Sequence, residues 1–361
     1  MLTKIRQLLS IYKKSIKNFF PSLKAGTKNI IKDLPNQLNN VKMRIFTFKS
    51  GLTILCLIIL ILFPIFPETE YYISILMYAM IFAILAASWD FLVGFVGQIS
   101  FGHAMFFGIS GYSGALLIQN LGISWFASIF LGAIVAIFLG LFIATPCLRL
   151  KGPYLALGTQ AFALILFNLM LSQKELNITQ SFTDLDYILQ YFILMGFMII
   201  SLSIMLIIVK SKLGTIFKSI RDDQICADAS GINTTKYKLI AFIISSFFAG
   251  IAGGLYMVKI SSVSYGNFLP LYSFYAIIMA AIGGLGTITG AAVGSFIFFI
   301  IQEIFSELFS ASGGQMEAFA SYGPVLVFSV FLILVIRFAD QGIMKPAVER
   351  LKELFDLLMG R

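Results

Sequence analysis

The stretch 210-KSKLGTIFKSIRDDQICADASGINTTKY-237, Lys210 to Tyr237, decides how this chain folds, because it is a polar, charged island between two long apolar runs. The flanking runs, Tyr187 to Val209 and Tyr237 to Val258, each reach the ~20 residues that carry a helix across about 30 Å of hydrocarbon. Inside a bilayer every backbone polar group must be satisfied within the segment, so such runs are helices. Composition points the same way. Of 361 residues, 59% are hydrophobic and 12% charged, and the mean hydropathy is +0.93, outside the balance of a soluble domain. The expected fold class is an all-α polytopic membrane protein, with about eight to ten transmembrane helices, some Gly-broken or re-entrant.

Upstream of the island, the runs are Gly51 to Phe66, Tyr72 to Val93, a glycine-interrupted third ending near Ile118, Gly122 to Thr145, and Pro153 to Ser172. Lys4, Arg6, Lys13, Lys14, Lys17, Lys24, Lys28, Lys32, Lys42, Arg44 and Lys49 precede the first run, opposed only by Asp33. That asymmetry places the N-terminus in the cytoplasm. Glu68 and Glu70 then face outside, Arg149 and Lys151 inside, and the island inside. The net charge of +9 is therefore read as topology and attraction to anionic membrane lipid at the basic N-terminus, with no nucleic-acid partner. Ile5, Leu8, Leu9, Tyr12, Ile16, Phe19 and Phe20 recur at helical spacing, which would let the tail lie along a membrane surface.

Downstream, Leu271 to Phe309 is too long for one span and contains GGLGTITG, Gly283 to Gly290. A segment that enters from outside, breaks at these glycines and returns outside lets a last span, Ser321 to Arg337, finish in the cytoplasm with Lys345, Arg350 and Lys352. The organisation expected is a basic cytoplasmic extension over 1–50, a transmembrane region over 51–340 with the island 210–237 as a cytoplasmic loop, and a cytoplasmic tail over 341–361. Both termini are then cytoplasmic.

A second interrupted segment, GFVGQISFGHAMFFGISGYSG, occupies Gly94 to Gly114. Interrupted segments in corresponding places are what a transporter built from two repeats shows, since irregular backbone survives at membrane depth only beside a cavity or inside protein. Glycines that merely allow close helix packing are the competing reading. The translocation-path candidates are Gly97, Gln98, Ser100, Gly102, His103, Gly283, Gly284, Gly286, Thr287 and Thr289.

Chemistry of other kinds is missing from the sequence. No GxxxxGK[ST] loop, GxSxG elbow or HExxH pair occurs, so the chain is expected to carry no catalytic residue and no ATPase site of its own. Cys56, Cys147 and Cys226 lie far apart, and His103 is the sole histidine, so neither a disulfide framework nor a metal site is expected. Asp90 is the main carboxylate within a run, with Glu303 and Glu307 beyond the glycine break. Its place near the end of its run reads as a hydrated position. In the island, Ile216, Ile220, Ile225 and Ala229 form a loose apolar stripe, and Gly231, Ile232 and Asn233 read as a helix stop. Two short amphipathic helices presenting a mixed-charge knob are expected there.

Four segments carry a resemblance: LAASWDFLVGFVGQISFGHAMFFGISGYSGALL (Leu85 to Leu117), LRLKGPYLALGTQAFALIL (Leu148 to Leu166), the island running into KLIAFIISSFFAGIAGGLY (Lys238 to Tyr256), and GGLGTITGAAVGS (Gly283 to Ser295). In this order they resemble the LivM-like permeases of branched-chain amino acid ABC transporters. The resemblance implies an ABC importer permease fold in a prokaryotic inner (plasma) membrane. It also implies four partners: a LivH-like second permease, two cytoplasmic ABC ATPase subunits that use ATP and Mg, and an extracytoplasmic substrate-binding protein. This chain itself would bind no cofactor. The family's ATPase-coupling loop corresponds to the island, with Gly214, Arg221, Asp222, Asp228, Gly231 and Asn233 as its candidate residues. Thr215 stands where family members commonly carry Arg, and the N-terminal extension is longer than the pattern needs.

Other readings make different demands. Urea and short-chain amide permeases share the GQISFGHA and GGLGT segments, and small neutral residues such as Gln98, Ser100, Thr287 and Thr289 suit either cargo. A stand-alone channel or ion-coupled carrier would need paired ionisable groups at mid-membrane, and a membrane enzyme a nucleophile or metal constellation. The sequence offers neither.

Overall fold

The computed structural model describes residues 58–311, apart from 66–69, 149, 151, 173–177, 180, 181, 183 and 184. The basic extension, most of the first run, Glu68, Arg149, Lys151, the last span Ser321 to Arg337 and the tail 341–361 lie outside the described residues. The chain divides into two units, Met1–Leu60 and Ile61–Arg361, and the helical bundle belongs to the second.

From Glu70 onward the described residues form ten α-helices, α1 (Glu70–Val96), α2 (His103–Leu121), α3 (Trp125–Cys147), α4 (Pro153–Ser172), α5 (Tyr187–Lys210), α6 (Lys212–Asp222), α7 (Gln224–Ala229), α8 (Thr234–Ile260), α9 (Leu271–Gly283) and α10 (Ile288–Ala311), with a short 3-10 turn before them at Phe63–Ile65 and another at Tyr265–Phe268. Among them, α1, α3, α4, α5, α8 and α10 are long and apolar enough to cross a membrane. The α4 run was legible to the residue, because Pro153 opens it: proline fixes φ and needs no amide partner in a first helical turn. Helix α8 opens on Asn233, whose side chain accepts from the Lys236 amide at 3.0 Å.

Helix α1 is the axis of the fold. From Met77 to Leu92 nearly every residue is buried, under α5, α8, α9, α10 and α2. A helix apolar all round belongs inside protein, and this one is. Helix α8 in turn packs on α1, α2 and α3, and small residues let the backbones approach: a Cβ on Gly111 would come within 2.9 Å of the Gly253 carbonyl oxygen. The outer helices are turned the other way. Phe138 and Phe142 of α3, Leu157 of α4 and Ile200 of α5 are exposed, as lipid-facing residues of a bundle are.

The expected broken hairpin is present. Gly283 of α9 abuts Gly290 of α10, and Gly294 abuts the Met279 carbonyl, so the two helices run antiparallel. Helix α9 has 13 residues, or about 20 Å, whereas α10 has 24, about 36 Å. Helix α10 also runs antiparallel to α1. Asp90 meets Gly286, Ser295 donates to the Ala79 carbonyl at 2.9 Å, and Tyr71 donates to Glu303. A two-residue antiparallel ladder, β1 (Ile178–Thr179) with β2 (Ser262–Val263), pairs Ile178 with Val263. It ties the α4–α5 connection to the end of α8.

Candidate functional site

The two interrupted segments meet. Helix α1 ends where Gly97 takes the left-handed conformation (φ 73°), and the chain climbs back through 97–102 to start α2 at His103. The second break, 284–287, turns on Gly284 (φ 99°) and Gly286 (φ 74°). Its Gly286 amide donates to Asp90 Oδ1 at 2.7 Å, and the Thr287 amide faces the same carboxyl group. A Cβ on Gly94 would stand 2.6 Å from Gly286 Cα and 2.5 Å from Asp90 Oδ1, so only glycine permits this approach. Asp90 is fully buried, which corrects the expectation of a hydrated carboxylate. Position along the helix suggested an interface; the second break covers it instead.

The island reaches the same point. Helices α6 and α7 are the two short helices expected. Ser211 caps α6 by accepting from the Leu213 amide at 3.2 Å, and Asp223 caps α7 by accepting from Ile225 and Cys226 at 2.8 and 3.1 Å. Those hydrogen bonds hold the Asp223 carboxyl below the usual carboxylate range, the Cys226 amide contributing most. The apolar stripe, however, is not the one read from spacing. Gly214, Phe217 and Ile220 form the buried face of α6, with Phe217 set edge-on against Phe91 of α1 at 5.7 Å. Ile225 is 81% exposed and Ala229 is exposed, because the extended residue Asp223 between the helices resets the phase. From α6, Arg221 Nη1 donates to the Gly94 carbonyl at 2.7 Å, while its Nε and Nη2 hold Asp222 Oδ1 at 3.0 and 2.8 Å.

The charged island is thus bound, through Arg221, at the meeting point of the two glycine breaks. Residues 71–337 match the family model described as the branched-chain amino acid transport system / permease component. The chain belongs to that permease family. Its relatives include the high-affinity branched-chain amino acid transport system permease protein LivM of Salmonella typhimurium and that of Escherichia coli. Each is 24% identical over 341 residues, covering 85% of this chain and 77% of the relative. The corresponding LivH of Salmonella typhimurium is 24% identical over 301 residues, covering 74% of this chain and 93% of that one. A solved chain from the PsaBC–Fab complex of Streptococcus pneumoniae aligns with a TM-score of 0.41 at 17% identity, over 76% of this chain and 93% of that one.

In this permease the candidate path residues fall into four groups. Gly97 and Gly286 lie against Arg221, at the meeting of the breaks. Ser100, Gly102 and His103 are packed inside protein: the Ser100 carbonyl accepts from Trp89 Nε1 at 2.7 Å, and a Cβ on Gly102 would stand 2.7 Å from the Thr159 carbonyl oxygen. Gln98 and Thr287 are half-buried and Thr289 is exposed, while Gly283 and Gly284 form the α9 end of the hairpin.

His103 has a defined role in packing. Ser245 Oγ gives its one proton to the Ser88 carbonyl at 2.7 Å, so His103 Nε2, 2.8 Å from that oxygen, must be the donor. The histidine links α2, α8 and α1.

Of the island candidates, Gly214 is fixed by overlap with the Val209 carbonyl, Asn233 by its cap, and Asp222 by Arg221. Gly231 has φ 82° with open space around it, and Asp228 is exposed. The sequence reading left Asp90 and Ser245 out of the site. The one available signal was Asp90 itself, a carboxylate inside an apolar run.

Proposed function

We propose that this chain is the pore subunit of an ATP-driven importer that passes branched-chain amino acids, Leu, Ile and Val, across a prokaryotic inner membrane. It would work with a LivH-like second permease, two cytoplasmic ATPases that use ATP and Mg, and an extracytoplasmic binding protein that delivers the cargo. The observation that carries the reading is the reach of the charged island, through Arg221, to the point where the two glycine breaks close on each other. Membership of the permease family and the branched-chain amino acid systems named for its relatives support it.

The basic N-terminal stretch puts the island on the cytoplasmic side, where ATPases act. Exposed Ile225, Asp228 and Ala229 then form the outer face of the knob, available to a docking partner. Closure of the ATPases would move the knob and shift the two breaks between alternative arrangements, since coupling needs a contact that differs between two states. The chain supplies the path and the handle; the energy comes from its partners.

The test is purification from native membranes in mild detergent, with identification of what accompanies the chain. Two P-loop ATPases and a second permease are expected. A chain recovered alone that transports in vesicles without ATP would overturn the reading. Uptake of leucine measured beside urea and acetamide then fixes the cargo.

A further inference from the structure

Arg221 occupies a place that docking to an ATPase does not explain. Its side chain is 39% exposed, yet Nη1 of its guanidinium reaches back to the end of α1. The Gly94 carbonyl there lacks its ordinary helical partner, because the Gln98 amide turns back to the Leu92 carbonyl at 3.2 Å. Arg221 Nη1 fills the gap at 2.7 Å, and a cation at a helix C-terminus is favoured by the helix dipole as well. The stem of the side chain lies along Gly97, where a Cβ would come within 3.1 Å of Arg221 Cγ. Nη1 also lies 3.7 Å from the place a Cβ on Gly286 would take. One side chain of α6 thus binds the first interrupted segment at Gly94 and lies beside Gly286 of the second, which is itself bound to Asp90.

We propose that Arg221 is the positioning residue through which movement of the island reaches the pore. It ties α6 to the closed meeting of the two breaks, so that the breaks part when α6 is drawn away. This rests on the importer reading and assigns Arg221 to the inside of the machine, leaving partner docking to the outer face of α7. Asp222 holds the other edge of the guanidinium, which keeps the fork aimed at Gly94.

The experiment uses the assembled complex carrying Arg221→Ala, Arg221→Gln or Arg221→Lys. Three quantities are read: the ATPases retained on purification, leucine uptake per ATP hydrolysed in proteoliposomes, and the rate at which a small maleimide modifies Thr287→Cys. The labelling background has Cys56, Cys147 and Cys226 replaced by Ala. In Arg221→Ala the ATPases stay bound, uptake per ATP falls about tenfold or more, as loss of a charge-assisted hydrogen bond implies, and labelling accelerates severalfold. Arg221→Lys, which keeps the charge but cannot hold Gly94 and Asp222 at once, falls between Ala and wild type. Should the Ala variant not accumulate, Arg221→Gln gives the same reading.

Uptake per ATP within twofold of wild type, with unchanged labelling, would overturn the proposal. So would loss of the ATPases from the Ala variant, which would make Arg221 a docking contact. If the wild-type chain carries no ATPases, the importer reading fails, while the labelling arm still reports whether Arg221 holds the breaks together.

Discussion

The Gly286 amide donates to Asp90 Oδ1 at 2.7 Å, joining two residues 196 positions apart in the chain. This contact turns two separate glycine-rich breaks into one structural unit. It also gives a buried carboxyl group a partner that no neighbour on its own helix supplies, and an unpartnered buried polar group is costly.

Gly94→Ala forces the two breaks apart, since the added methyl overlaps the Gly286 backbone and crowds Asp90. Overpacking of this kind costs about 1–3 kcal/mol. The cost falls on the closed arrangement, so the variant should reach the membrane at near wild-type level while leucine uptake drops sharply. Immunoblotting of membranes beside uptake checks it. Normal uptake would show that the breaks do not need to close.

Ser245→Ala takes the α8 partner from His103 Nε2 in a fully buried site and leaves it only the more poorly placed Ser88 carbonyl. Losing a well-formed buried hydrogen bond costs about 0.5–1.5 kcal/mol, which should lower the thermal midpoint in detergent. Because the site lies in the packing of α2 and α8, the ratio of uptake to ATP hydrolysis should hold at temperatures where the variant is folded. A changed ratio with unchanged melting would move His103 from packing to transport.

Cys226 Sγ donates to Asp223 Oδ2 at 3.1 Å, and this hydrogen bond pushes the thiol above its ordinary range. At any pH near 8 less thiolate is present than at a free cysteine, so iodoacetamide should react slowly. Asp223→Asn keeps an oxygen for the Ile225 and Cys226 amides but removes the charge, so its alkylation profile should shift to lower pH. The opposite sign holds for Asp223. Its depressed carboxyl stabilises α7 above the ordinary carboxylate range, and that contribution is lost as pH falls through the depressed value. Equal alkylation rates in both proteins would count against the contact.

Gly231 has a left-handed backbone and nothing near the position of an added Cβ. Asparagine tolerates that conformation, so Gly231→Asn should leave the α7–α8 turn folded and place a side chain on the outer surface of the island. Reduced ATPase recovery on purification is the expected result if a partner packs there. Full recovery and full uptake would place the docking surface elsewhere, at Ile225 and Asp228.

Much of the fold was open to reading because its signals are local. Pro153 and Ser172 bound a helix that a bilayer-length apolar run and a helix-starting proline define without reference to the rest of the chain. The hairpin of α9 and α10 followed from length and charge bookkeeping, and the turn lies at the glycines that suggested it.

The reading failed once at a local helix break and once at a neighbour distant in sequence. Ile225 fits a helical stripe on paper, but the capped break at Asp223 rotates it into the open. Asp90 reads as hydrated from its place on the helix, yet the second break covers it.

By itself the sequence determined a helical membrane bundle, six apolar helices among the described residues, the two breaks and the charged island, because hydropathy, glycine and charge act over a few residues. Only the tertiary structure decided that the breaks close on each other through Asp90 and Gly286 and that Arg221 joins the island to the first of them at Gly94. Close backbone approach and a hydrogen bond to an orphaned helix-end carbonyl depend on which helices pack together, and no short stretch of sequence carries that information.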